Sequence, residues 1–109
     1  MEGLIDRGIF FFNSGRYFEA HEVWEDLWRE EQGEGRIFYQ ALVQAAVGMH
    51  HATRNNKSGS RAVLLRALSK LDRLPEIVEG IEVGTLRRDL RQVLDKLEVG
   101  DIVPVRIVR

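Results

Sequence analysis

The chain has 109 residues, 44% apolar and 30% charged, which suits one soluble globular domain with a single core and leaves no room for a second. It contains no cysteine, so disulfide scaffolds, thiolate catalysis, iron–sulfur ligation and cysteine-type zinc sites are all excluded. The net charge of −1 conceals a split: residues 1–54 hold nine acids and five bases (−4), residues 55–109 eight acids and eleven bases (+3), an asymmetry that could orient a partner or favour self-association into a homo-oligomer but is too mild for a nucleic-acid footprint.

The segment MEGLIDRGIFFF shows neither a basic leader nor a cleavage motif, and no apolar run approaches the ~20 residues of a membrane span, so a cytoplasmic location without membrane association is expected. Leu4, Ile5, Ile9 and Phe12 predict a first helix over 4–13, stopped by Asn13-Ser14-Gly15. A second helix is predicted over 17–31, where Tyr17, Ala20, Trp24, Leu27 and Trp28 line one face and Glu19, Glu22, Asp26 and Glu30 the other. Residues 32–35 read as a glycine-containing loop. The third helix, 36–54, is apolar nearly all round, as befits a helix in the middle of a bundle. The run NNKSGS, 55–60, reads as a turn, followed by an amphipathic helix over 61–74. Pro75 ends that helix or begins a short one through Val78. Thr85 can cap a last helix striped by Leu86, Leu90, Val93, Leu94 and Leu97. The expected architecture is therefore all-α: a compact bundle of about five helices over residues 1–99, built on two antiparallel helical hairpins, with almost no sheet. Residues 100–109 form an extended tail, strand-like against an edge or disordered.

The second and third helices carry polar residues where a core would be apolar. At ~100° per residue, His21 and Glu25 project between the aromatic neighbours of the second helix, and their i, i+4 spacing lets their side chains meet between the walls of Trp24 and Trp28. Gln40, Gln44 and His51 fall on one stripe of the third helix, flanked by Val47. Burying unpaired amides costs a few kcal/mol each, so the economical packing turns this stripe toward His21 and Glu25. His50 departs from the stripe and reads as a plain helix-end histidine.

Three roles suit such a cluster. It is a buried network that fixes helix register and does nothing else. It is a pocket in which Glu25 orients His21 for acid–base catalysis, with Trp28 as a wall and Gln40, Gln44 and His51 contacting a ligand. Or His21, Glu25 and His51 form a two-histidine, one-carboxylate site for a divalent metal. The run His21-Glu22-Val23-Trp24-Glu25 lacks the second histidine of the zincin helix, and Glu22 projects with the solvated acids. No nucleophile elbow or phosphate-binding glycine loop is present. Arg66, Lys70 and Arg73, and likewise Arg87, Arg88 and Arg91, read as solvated faces interrupted by Asp72, Asp89 and Asp95.

The segment from Phe12 through His21, Glu25 and Trp28 resembles the signature H-x-x-x-E-x-x-W of domain-of-unknown-function family 309. Gln40-Ala41-Leu42-Val43-Gln44, His50-His51, Asn56 and Gly59 are similar again, so the resemblance spans residues 10–74, with Ala41 where the family usually has glycine. It implies a small helical domain of unassigned activity. A fainter likeness, Gly15-Arg16-Tyr17-Phe18-Glu19-Ala20 with Trp24 and Leu27, is to the second half of a tetratricopeptide unit. It supports the rival class, a non-catalytic protein-interaction or assembly module in which Trp24, Trp28 and the acidic face meet a partner or a second copy.

Overall fold

The structure, a computed structural model, describes residues 3–100 and 103–109. Five helices follow one another: α1 (Leu4–Asn13), α2 (Tyr17–Glu30), α3 (Gly35–Thr53), α4 (Lys57–Leu71) and α5 (Val83–Lys96). Between α4 and α5 lies a hairpin of two-residue strands, β1 (Ile77–Val78) and β2 (Ile81–Glu82), paired antiparallel. The fold is all-α. Along the chain α1 packs on α2, α2 on α3 and α3 on α4, with α5 against α4. No helix of the described residues is long and apolar enough to cross a membrane.

Helix α1 lies close to α2 because Gly8 has no side chain: a Cβ there would sit 2.0 Å from Trp24 Nε1. That indole is fully enclosed and donates to the Ile5 carbonyl at 3.4 Å. Trp24 is thus a core residue beside Phe12, and neither the cleft wall nor the partner contact that its spacing suggested. Helix α3 is the central one, with Phe38, Leu42, Ala45, Ala46 and Met49 in the core.

The largest departure from the sequence reading is at residues 55–60. Asn55 takes a left-handed conformation (φ 59°) and ends the turn, and Asn56 then caps α4, its Oδ1 accepting from the Gly59 N–H at 3.1 Å. Of the residues expected to form a turn, Asn55 does so, whereas 57–60 are the first turn of a helix. Gly59 suits that place because a Cβ would lie 2.4 Å from the capping amide. At its other end α4 stops at Leu71, ahead of Pro75, and of the two alternatives there the short helix through Val78 does not form: Ile77–Val78 is β1. Glu79 and Gly80, with φ of 50° and 78°, make the two-residue turn whose twist matches paired strands. The last helix starts at Val83, not at Thr85. Its first N–H groups, those of Val83 and Gly84, donate to the Glu76 carbonyl at 2.8 and 3.3 Å, so the hairpin caps it and no Thr85 cap is needed. Arg87, read as part of a solvated face, is only 15% exposed and reaches Glu76 at 3.2 Å.

Of the expected tail, Asp101 and Ile102 lie outside the described residues. Residues 103–109 carry no regular secondary structure but pack on the bundle, with Val105 and Ile107 buried in its core. The Asn13 side chain clasps Ile107, donating to its carbonyl at 3.0 Å and accepting from its N–H at 2.8 Å, while the Glu82 N–H donates to the Val108 carbonyl.

Candidate functional site

Two antiparallel stripes face each other across the contact between α2 and α3. On α2 the spacing i, i+3, i+7, i+10 brings Phe18, His21, Glu25 and Trp28 to one side. On α3 the residues Gln40, Gln44, Val47 and His51 do the same. Glu25 and Trp28 meet Gln40, Val43 and Gln44 in a cleft of about 180 Å³, and His21 and Val47 complete its lining. His21 and Val47 also border a neighbouring apolar cleft of about 310 Å³, shared with Phe18, His50 and His51. The structure thus brings five of the six predicted residues into one cleft and places His51 in the adjoining one.

His21 Nε2 lies 2.9 Å from Glu25 Oε2, and the other carboxylate oxygen accepts from Arg29 Nη2 at 2.9 Å. His21 Nδ1 faces the Phe18 carbonyl at 3.3 Å. Both ring nitrogens therefore meet acceptors. The imidazolium satisfies both contacts, and the neutral ring with its proton on Nε2 satisfies the shorter one. Neither leaves a ring lone pair free for a substrate, unlike a catalytic dyad in which the carboxylate holds one nitrogen and the other faces the reaction. The side chains of His21 and Glu25 are 23% and 32% exposed, so the pair stands at the mouth of the cleft rather than sealed in a core.

Two polar atoms of cleft-lining residues have almost no accessible surface and no hydrogen-bond partner, the donor Trp28 Nε1 and the acceptor Gln44 Oε1; Ser60 Oγ and Arg87 Nε, away from the cleft, share this state. The Trp28 ring is held from one face by the Arg36 guanidinium, 4.3 Å from the ring centroid. Trp28 and Gln44 line the same cleft.

His51 accepts from Asn56 Nδ2 through Nδ1 at 3.2 Å, a bond that places its ring proton on Nε2, since a side-chain amide nitrogen only donates. It does not join His21 and Glu25. Among the described residues no three His, Asp or Glu side chains gather closely enough to hold a metal ion, so the alternative set of His21, Glu25 and His51 is not such a group. His50, set aside in the sequence, packs in the apolar cleft with its ring 5.4 Å from that of Phe18, which is 5.4 Å from that of His21. Burial lowers its pKa below the ordinary 6.5, and the charges of Arg54, His51 and His21 add to the effect. The missed signal was its i+3 spacing from Val47, which places it one turn further along the wall of the cleft.

Residues 5–63, more than half of the chain, match the family described as "Domain of unknown function (DUF309)". The protein belongs to this family. All the cleft residues named above fall inside the DUF309 match, whereas the hairpin, α5 and the tail lie beyond it. The chain is 28% identical over 99 residues to an "Uncharacterized protein" of Aquifex aeolicus (strain VF5), covering 90% of this chain and 30% of that one. It is also 28% identical over 100 residues to "Uncharacterized protein YpuF" of Bacillus subtilis (strain 168), covering 89% and 58%. The chain therefore spans less than two thirds of the length of either relative, and none of these matches assigns the DUF309 domain an activity.

Proposed function

We propose that the cleft between α2 and α3 is a binding site for a small molecule, with Trp28 and Gln44 as its inner polar contacts and the His21–Glu25 pair at its mouth. One observation carries this reading: Trp28 Nε1 and Gln44 Oε1 are buried and unpartnered, and both belong to residues that line one cleft. A buried polar atom without a partner costs ~1–3 kcal/mol, and folded proteins keep few of them. A network serving only to fix register would pair its own donors and acceptors. Here a donor and an acceptor on two residues that line one cleft are both left without a partner.

The His21–Glu25–Arg29 chain supports the guest's mouth contacts and holds the ring in place. With both imidazole nitrogens engaged by Glu25 and the Phe18 carbonyl, His21 shapes the mouth of the cleft rather than serving as a base. The assembly reading is weaker here, because Trp24, its strongest anchor, is fully enclosed.

A fragment screen on ¹⁵N-labelled protein tests the location. Fragments that bind should perturb the Trp28 indole N–H and the amides of α2 and α3 flanking the cleft, and Trp28→Phe with Gln44→Met should remove those responses. Hits scattered over other surfaces, or none at the cleft, refute the site.

A further inference from the structure

Two surfaces of opposite charge lie outside the α2–α3 cleft, and neither is neutralised within the chain. The first is a groove of about 470 Å³ where the start of α3, the end of α4 and β1 come together. Phe38, Leu74, Pro75, Ile77 and Val78 give it an apolar lining, and Ile77 is 63% exposed. Every charged residue that lines it is an acid: Glu31, Glu34 and Glu79. Glu31 Oε1 accepts from the Gly33 N–H and Glu79 Oε1 from the Tyr39 hydroxyl, each at 2.9 Å. Both donors are neutral, and among the described residues no Lys or Arg pairs with any of the three carboxylates. The Tyr39 pKa is pushed up to about 12 by burial, then by the bond to Glu79 and the charges of Glu79 and Glu31, so two of the acids converge on one phenol.

The second surface is basic. Arg66 and Lys70 on α4, with Arg73 in the turn that ends it, recur at i, i+4 and i+7. Among the described residues none of them has a carboxylate partner, and the neighbouring acid, Asp72, is taken by Arg91 at 2.6 Å and Arg87 at 4.0 Å. Lys70 is partly buried, and its pKa is lowered by burial first and then by the charges of Arg66 and Arg73. The stripe repels itself.

Three unpaired anions around an apolar groove complement three unpaired cations on a helix face. The two surfaces adjoin along the chain, since Arg73 is followed directly by Leu74, which lines the groove. Two copies related by a two-fold axis can set each stripe against the other's groove, because in such an interface one patch serves both subunits. Arginine and lysine also bring long aliphatic stems that cover apolar surface while their charged ends reach carboxylates. A foreign basic peptide would satisfy the groove and leave the stripe uncovered; a second copy satisfies both.

We propose that the groove of Glu31, Glu34 and Glu79 is the docking site for a second copy of this chain, whose Arg66, Lys70 and Arg73 seat there in a reciprocal two-fold dimer. The groove shares no lining residue with the α2–α3 cleft, so the dimer stands or falls apart from the ligand reading.

Sedimentation velocity on the full chain tests it. The unaltered protein should dimerise at low salt, and its dimer should weaken at least about tenfold between about 50 and about 500 mM NaCl as the ion pairs are screened. Glu31→Lys with Glu34→Lys sets cations against cations, and Arg66→Glu with Arg73→Glu sets anions against anions; each double variant should self-associate about tenfold more weakly or worse. Mixed in equal amounts, the two should form a heterodimer within about threefold of the parent affinity, since both contacts again join opposite charges. That rescue also shows that both variants are folded. A parent that is monomeric at low salt would overturn the proposal, as would a dimer that survives either double variant or a mixture no more associated than its components. A monomeric parent whose Ile77 and Val78 amides shift on adding a peptide of alternating arginine and leucine would assign the groove to a foreign basic partner instead.

Discussion

Gln44→Met separates a ligand site from a structural network by the sign of its effect on stability. Methionine has nearly the length and helix propensity of glutamine, so the substitution leaves backbone and volume almost unchanged and removes the amide alone. In the folded protein Gln44 Oε1 is buried without a partner, whereas in the unfolded chain it is hydrated. Relieving an unmet acceptor is worth ~1–3 kcal/mol, and the methionine sulfur adds a little apolar burial beside Val43 and Val47. The variant should be more stable than the parent by at least about 1 kcal/mol, a rise of ~4–8 °C in Tm for a domain of this size. In urea, followed by circular dichroism, the midpoint should rise by roughly 0.3–1 M at unchanged slope. Gln40→Met, whose amide is not among the buried unpartnered groups, should stay within about 0.5 kcal/mol of the parent. A gain in stability coupled to loss of binding marks a residue kept for function at a cost to the fold. If Gln44→Met instead lowers stability, its amide is satisfied by the protein and the argument for a guest fails.

Three further substitutions probe the frame around the cleft. Gly8→Ala should destabilise by ~1–3 kcal/mol in urea unfolding, although glycine to alanine within a helix ordinarily stabilises by about 1, because the new Cβ would meet an enclosed Trp24; a stabilised variant would show that α1 and α2 are not in such close approach. Asn13→Ala removes both bonds to Ile107 and should cost ~1–3 kcal/mol, with faster amide exchange at residues 105–108; unchanged exchange would mean that the tail is held by other contacts. His50 has its pKa lowered in the fold by burial first and then by Arg54, His51 and His21, opposed by Glu19, so below pH ~6.5 the unfolded state takes up its proton before the folded state does. Stability is therefore lost as pH falls from that value through the folded pKa. His50→Gln should flatten this part of the stability profile, and an unaltered slope would place His50 in open solvent.

The first three helices were legible because hydrophobic periodicity over ten or more residues leaves few alternatives, and their limits fall within a residue of expectation. The polar stripes were legible for the same reason: Gln40, Gln44 and His51 stand out on a helix whose other faces are apolar. What escaped was set by pairs of residues distant in sequence or by short-range backbone geometry. Asn56 and Gly59 look like a turn, and become a helix cap only once Asn55 has turned the chain. The strands are two residues each, too short for an alternating pattern, and Glu79 adopts a positive φ that its residue type does not announce. Trp24 and Trp28 look equivalent on a helical wheel. Only the packing of Gly8 shows that one is enclosed by α1 while the other is left to the cleft. The partners of each His21 ring nitrogen, which shift the reading away from a base, depend on a rotamer and had no counterpart in spacing.

That the cleft between α2 and α3 is a ligand site can be decided by a high-resolution crystal structure of the protein soaked with the fragments that perturb the Trp28 indole N–H. A ligand site there places fragment density between α2 and α3, within hydrogen-bond distance of Trp28 Nε1 or Gln44 Oε1. Density elsewhere, or a Gln44 amide already bonded to a neighbouring group of its own chain with the cleft vacant, would contradict it.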